Sequence, residues 1–277
     1  MKDIGIIETV DYRKINDTLQ EILQKNNGKF PAIIYNRSYG NKHLVFIGEQ
    51  HGNNVNDNRF DTIQKYFKIL NPNVALNEGG QISDSIHFLT RANAIEKDGA
   101  IGLLKYLCDL NKIKLLNADC PDSIEVESLL KYYPKDLLLF SFVTQRFILQ
   151  YLAENNNSTK NLNEEYKKFV TSYLVKRCNL KLTDKEQGWK YYEELFKKYN
   201  SNQSIDLKIF DGRLTEKYYD ENGILSDFGR KSLSIRDSFL ITNIYNNLQK
   251  HDKVFIVFGA AHLFSIKPTL DRIFNGE

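Results

Sequence analysis

Four short apolar runs constrain the fold of this chain more than any other feature: His43-Leu44-Val45-Phe46-Ile47, Val74-Ala75-Leu76, Ile113-Lys114-Leu115-Leu116 and Val254-Phe255-Ile256-Val257-Phe258. Runs this short, bounded by turn residues and rich in β-branched and aromatic side chains, read as strands. Their near-continuous apolarity marks strands covered on both faces, as in a parallel sheet. Between the first two, Phe60, Ile63, Phe67 and Leu70 recur at helical spacing, and Ile101, Leu104, Leu107 and Leu110 do so before the third. A helix between two such runs is the usual crossover of parallel strands. A further run, Ala32-Ile33-Ile34-Tyr35, precedes the first across a Gly-containing turn at 36–41 and predicts a hairpin. The expectation is an α/β fold: a mainly parallel or mixed central sheet flanked by helices. A helix around Ile15, Leu19, Ile22 and Leu23, closed by Asn26-Asn27-Gly28, is expected to lie against the sheet edge.

The pattern changes in the middle of the chain. Residues 121–206 are rich in Lys, Glu, Tyr, Leu and Asn and contain no confident strand, so they read as a helical insertion or cap. The α/β core is then 1–120 and 207–277, one domain overall, with the sheet resuming at Val254 after a helix at about 234–249. Asn155-Asn156-Asn157-Ser158 reads as a loop inside the insertion. Trp189, Tyr191, Tyr192, Phe196 and Tyr199 stand at helical spacing and are expected to pack it, while Lys167-Lys168 and Lys197-Lys198 read as solvated faces.

Composition removes several function classes. Thirty-eight Lys and Arg against 35 Asp and Glu give a net charge of +3, too small to indicate a nucleic-acid partner without a concentrated patch. Hydrophobic residues at 42% and charged residues at 26% are those of an ordinary globular protein. No apolar run is long enough for a membrane span. Cys108, Cys120 and Cys178 form no CxxC pair, which argues against a zinc ribbon or disulfide framework. With no signal peptide or lipobox at Met1-Lys2-Asp3-Ile4, a cytoplasmic location is expected.

Two of the five histidines stand out. His51 and His262 each follow a buried run by way of a GxxH sequence, Gly48-Glu49-Gln50-His51 and Gly259-Ala260-Ala261-His262, whereas His43, His87 and His251 read as structural or solvent-facing. Strand carboxyl ends share one edge of a parallel sheet, so two histidines far apart in sequence are expected to meet in one crevice there. Glu49 and Glu78 also stand at strand ends, and Gly79-Gly80 lets backbone or ligand approach Glu78 closely. A buried carboxylate requires a partner. Arg236, on the helix face that carries Phe239 and Leu240, is a candidate, with Asp237 or Asp227 as its surface alternatives. Asp119 is a further strand-end carboxylate, a candidate to orient His51 or His262 or to complete a metal shell. Cys120 beside it reads as a buried thiol, with a nucleophile as the rarer alternative. The chain has no GxSxG elbow, P-loop or GxGxxG.

In order along the chain, Gly48-Glu49-Gln50-His51-Gly52, Asn77-Glu78, Ile235-Arg236-Asp237 and Gly259-Ala260-Ala261-His262-Leu263 resemble the superfamily joining the erythromycin esterases, the TraB/Tiki proteins and the ChaN haem-binding lipoproteins. The resemblance covers 43–80 and 234–264 and leaves the middle unmatched. It implies an α/β core with a histidine and glutamate site. The Tiki branch implies metal-dependent peptide hydrolysis, the esterase branch water activation for ester cleavage, and the ChaN branch haem binding by exported lipoproteins. Gln50-His51 departs from the Thr-His pair of the esterase branch.

The expected function is therefore hydrolysis of an ester or of an amide or peptide bond in a small-molecule or peptide substrate. His51 or His262, held by Glu49 and Glu78, deprotonates water, and Arg236 stabilises the oxyanion. A divalent metal (Mn, Zn or Co) on Glu49, His51, Glu78 and His262 is the alternative activator of water. The rival class is a non-enzymatic protein that binds haem, a metal or a small ligand in the same pocket.

Overall fold

The computed structural model describes residues 7–155, 161–207 and 224–276. They divide into two compact units, Met1–Cys120 with Leu233–Glu277, and Pro121–Ser232. The second division thus falls inside a helix, α9 (Ile224–Lys250), rather than at the 206/207 boundary read from the sequence.

In the first unit, α1 (Tyr12–Lys25) leads to a hairpin of β1 (Ile33–Tyr39) and β2 (Lys42–Glu49). Then follow α2 (Asn58–Leu70), β3 (Val74–Asn77), α3 (Arg91–Asn111), β4 (Lys114–Asn117), the end of α9, β5 (Lys253–Gly259) and α10 (Ala260–Asn275). The strand order is β1-β2-β5-β3-β4. Only the β1–β2 pair is antiparallel; β5 lies parallel between β2 and β3, and β4 pairs parallel with β3. The fold is α/β with a mixed, mostly parallel sheet.

Both faces of the sheet are covered, which explains the unbroken apolar runs. Leu44, Phe46, Leu76, Val254, Ile256 and Phe258 join one core with Leu240, Ile244, Leu263 and Leu270 of α9 and α10. Their neighbours Val45, Ile47, Ala75, Phe255 and Val257 join a second core with Phe60, Ile63 and Phe67 of α2 and Leu103, Leu104 and Leu107 of α3. Successive strand side chains point to opposite faces, so each run feeds two cores at once. Each buried Leu, Ile or Phe contributes about 1.5–3 kcal/mol relative to exposure.

The N-terminal helix is placed differently from the expectation. It packs on α10 rather than on the sheet edge, burying Tyr12 and Ile15. Backbone bonding draws it there: Val10 N–H donates to Ser265 O at 2.9 Å, and Thr269 Oγ1 bonds both Glu8 N and Glu8 O at 2.7 Å. The opposite sheet edge is closed by one side chain. Gln81 accepts from Asn117 N–H at 3.0 Å and donates to Leu115 O at 3.2 Å, occupying the outer edge of β4 as a neighbouring strand would.

Helix α3 bends at Gly99, whose φ of 56° and ψ of −133° suit only glycine. A Cβ at Gly99 would stand 2.5 Å from Gly52 O. Gly99→Ala should therefore cost at least about 2 kcal/mol, since strain and overlap act together. Urea unfolding at neutral pH measures this; an unchanged midpoint would mean that the loop at Gly52 yields without cost.

The regular elements among the second unit's described residues are all helical: α4 (Asp122–Leu129), α5 (Lys135–Val143), a π-helical segment (Thr144–Ile148), α6 (Leu149–Asn155), α7 (Leu162–Phe169), a second π-helical segment (Val170–Arg177), α8 (Trp189–Tyr199) and the start of α9. Most of the loop read at Asn155 to Ser158 lies outside the described residues. Aromatic rings fill this unit's interior: Tyr192 stacks on Phe140 with centroids 6.0 Å apart, and Trp189 meets Tyr166 edge-on at 5.3 Å. No helix among the described residues is long and apolar enough to cross a membrane.

Candidate active site

Polar strand ends collect at the carboxyl edge of the sheet because β2, β5, β3 and β4 run in one direction. Glu49 ends β2, Glu78 follows β3, Asp119 follows β4, and His262 lies in the first turn of α10 after β5. All belong to the first unit.

The two histidines are each held by a carboxylate and turned towards a third. His51 Nδ1 is hydrogen-bonded to Glu49 Oε1 at 2.6 Å, and His262 Nδ1 to Asp237 Oδ1 at 2.6 Å. Their other ring nitrogens face Glu78: His51 Nε2 is 3.7 Å from Oε2, and His262 Nε2 is 3.6 Å from Oε1. Gly259 makes the convergence possible. A Cβ there would lie 3.2 Å from Glu78 Oε2, 3.6 Å from His262 Cδ2 and 3.8 Å from His51 Nε2. The environments nevertheless differ, since the His51 side chain is 63% exposed and that of His262 only 6%. The hydrogen bond to Glu49 raises the His51 pKa above its ordinary value; burial opposes that, and the charges of Glu78 and Glu49 reinforce it.

Glu78 is pinned at both oxygens. Oε1 accepts from Arg236 Nη2 at 2.8 Å, and Oε2 accepts from Gly259 N–H at 2.7 Å. Arg236 also grips Asp119 through Nε and Nη2, at 2.9 and 2.8 Å. This is the planar two-point recognition for which a guanidinium is suited. Burial alone would raise the Asp119 carboxyl, but paired Arg236, with help from His262 and the Cys120 N–H, holds it below the usual carboxylate range. Thus Arg236 meets Glu78 and Asp119 rather than its surface alternatives; Asp237 turns to His262, and Asp227 accepts from Tyr133 Oη at 2.6 Å.

Local backbone chemistry fixes these ends. Asn77 Nδ2 donates to Glu78 O at 2.7 Å and Gly80 O at 2.8 Å, while Asn117 Oδ1 accepts from Gly80 N–H and Asp119 N–H at 3.2 and 3.0 Å. Gly79 and Gly80 take φ of 85° and 110°, so the turn requires glycine. Cys120 is buried, and its backbone N–H caps Asp119. His43 and His87 lie elsewhere, on Asn36 and Asp109.

Four further residues contribute that the sequence did not single out as site groups. Asp237 has no solvent exposure and accepts from Tyr12 Oη at 2.8 Å and Ser265 Oγ at 2.5 Å as well as from His262. Buried Arg59 donates to Gln50 O and places Nη1 3.7 Å from Glu49 Oε2. A side chain at Gly52 would collide with that guanidinium, which accounts for the second glycine of Gly48-Glu49-Gln50-His51-Gly52. The Asp was visible in the sequence as the neighbour of Arg236; nothing local marks Tyr12, Arg59 or Ser265.

Among the described residues no group of three or more His, Cys, Asp and Glu is arranged to hold a metal ion. Both Glu78 oxygens are already hydrogen-bonded, one of them to a cation, and both Nδ1 atoms are committed to carboxylates. The carboxylate contacts at Nδ1 leave both Nε2 atoms turned to Glu78, an arrangement suited to proton transfer and shared by histidines that bind a metal through Nε2. Comparison of the chain with protein-family models, curated proteins and solved structures returned no match.

Proposed function

We propose that the chain is a hydrolase that activates water between His51 and His262 and cleaves an ester or an amide or peptide bond of a small molecule or peptide. One observation carries the reading: two carboxylate-held histidines direct their Nε2 atoms at opposite oxygens of one pinned glutamate, at 3.7 and 3.6 Å. A structural role for a single strand-end histidine is ordinary; two with the same second partner are the arrangement expected of an acid and base pair. His262, with its proton on Nδ1, has the Nε2 lone pair to accept a proton from water as the oxygen attacks the carbonyl carbon. His51, whose raised pKa favours the imidazolium, donates its Nε2 proton to the departing alcohol or amine. Glu78 orders both rings and the water. Arg236 is engaged by Glu78 and Asp119, so its role here is to hold Glu78 in place, in contrast to the oxyanion role expected from the sequence.

The test is a panel of chromogenic esters and aminoacyl amides assayed with and without a strong chelator. Turnover that is indifferent to chelation is the expected result. Activity lost to chelation and restored by Mn, Zn or Co would replace the histidine base by metal-activated water. No turnover, together with a visible absorption band or stoichiometric metal in the purified protein, would favour a binding function.

A further inference from the structure

His262 stands between two carboxylates that compete for its single neutral-state proton. Asp237 Oδ1 is 2.6 Å from Nδ1, and Glu78 Oε1 is 3.6 Å from Nε2. Which nitrogen carries the proton decides whether the ring faces the space over Gly259 as a base or as a donor. We propose that Asp237, clamped by the hydroxyls of Tyr12 and Ser265, is a positioning residue that keeps the His262 proton on Nδ1 and so leaves the Nε2 lone pair facing Glu78.

The geometry favours Asp237 on three counts. Its hydrogen-bond distance is an ångström shorter than the approach of Glu78. The charge of Glu78 is already drawn by Arg236 and Gly259 N–H, which weakens its claim on a further proton. Asp237 is wholly buried, and an ionised carboxylate there requires donors; His262, Tyr12 and Ser265 supply three. Tyr12 Oη lies 2.8 Å from Asp237 Oδ2 and 3.2 Å from His262 Nδ1. Since Nδ1 carries the proton, the tyrosine proton goes to Asp237. Burial first and the Asp237 charge second push the Tyr12 pKa well up, so the phenol remains a donor. With Oδ2 occupied from two directions, Oδ1 is left facing the imidazole. The ring is also fixed from its other side by Phe258, edge-on at 5.2 Å. This assigns a purpose to α1, whose lead-in backbone at Glu8 and Val10 is tied to α10 and whose first turn delivers the tyrosine.

The kinetic consequence rests on the hydrolase reading, whereas the tautomer does not, and the experiment separates them. Protein labelled with ¹⁵N-histidine is examined by long-range ¹H–¹⁵N correlation at a pH where the ring is neutral, with His262→Gln used to assign the signals. In the wild type His262 should show a protonated Nδ1 and a bare Nε2. In Asp237→Asn the carboxamide still accepts from Tyr12 and Ser265 but presents N–H to Nδ1, so the proton should move to Nε2. The same variant should lose about 10³- to 10⁴-fold in kcat at unchanged KM, the signature of a misplaced tautomer. Tyr12→Phe should keep the wild-type tautomer and lose about tenfold in kcat, since partners that orient a functional imidazole carry effects of that order. A bare Nδ1 in the wild type, or a protonated Nδ1 in Asp237→Asn, would overturn the proposal whether or not any substrate is cleaved. The correct tautomers in a protein without hydrolytic activity would uphold the positioning role and remove the hydrolase reading instead.

Discussion

Each of His51→Ala and His262→Ala should lower kcat/KM by at least about 10³-fold on any substrate that the wild type hydrolyses, because each removes one partner of a proton relay. The two losses should not add. Groups that act as a unit cost nearly as much singly as together, so the double variant should be scarcely worse than either single one. Each loss of activity needs a structural control. His51 is largely exposed but its ring is bonded to the buried carboxylate of Glu49, so a companion His51→Gln variant, which keeps a donor for Glu49, separates lost activity from lost structure. His262 is buried against Phe258 and bonded to Asp237, so a companion His262→Gln variant, which keeps a donor for Asp237, tests whether lost activity reflects lost structure. Full activity in either alanine variant would show that the paired GxxH sequences are structural.

The second large effect is on stability. Arg236→Met should destabilise the protein by about 3 kcal/mol at neutral pH, because it leaves the largely buried Glu78 and Asp119 without their common cation. Arg236→Lys should recover part of this and little activity, since one ammonium cannot reproduce the two-point grip on Asp119. The pH dependence follows from the Asp119 pKa, which lies below the usual carboxylate value in the folded protein. A depressed carboxyl stabilises fully above its unfolded pKa of about 4 and ceases to do so as the pH falls through the folded value. Wild type should therefore lose more stability than Arg236→Met as the pH falls below about 4, and their urea midpoints should approach one another. A constant difference down to pH 2 would mean that the Arg236 contribution is packing rather than charge.

Much of the fold was legible because parallel strands carry their own signature. Val254 to Phe258 and Leu44 to Ile47 are apolar at every position, and only a strand covered on both faces has that requirement. Strand ends were legible for the same reason, since a glycine or polar residue breaks each run. Glu49, His51, Glu78, Asp119 and His262 could thus be nominated from local sequence, and Arg236 from its helix face; the tertiary structure places them together at one sheet edge.

Strand order and partnership were not legible. That β5, last in the chain, lies between β2 and β3 depends on pairing of Val254 with Leu44 and Val74, 210 and 180 positions away, for which no local propensity exists. The same holds for α1: its amphipathic stripe requires something apolar to cover it but does not name α10. The site divides along this line. Sequence determined which residue types stand at strand ends, because burial and turn chemistry act over a few residues. Only the tertiary structure decided that Arg236 serves Glu78 and Asp119, that Asp237 turns the other way to His262, and that Tyr12 reaches them both. Those choices belong to a buried hydrogen-bonding network, in which every donor and acceptor must be satisfied at once by groups that only the folded chain brings within 3 Å.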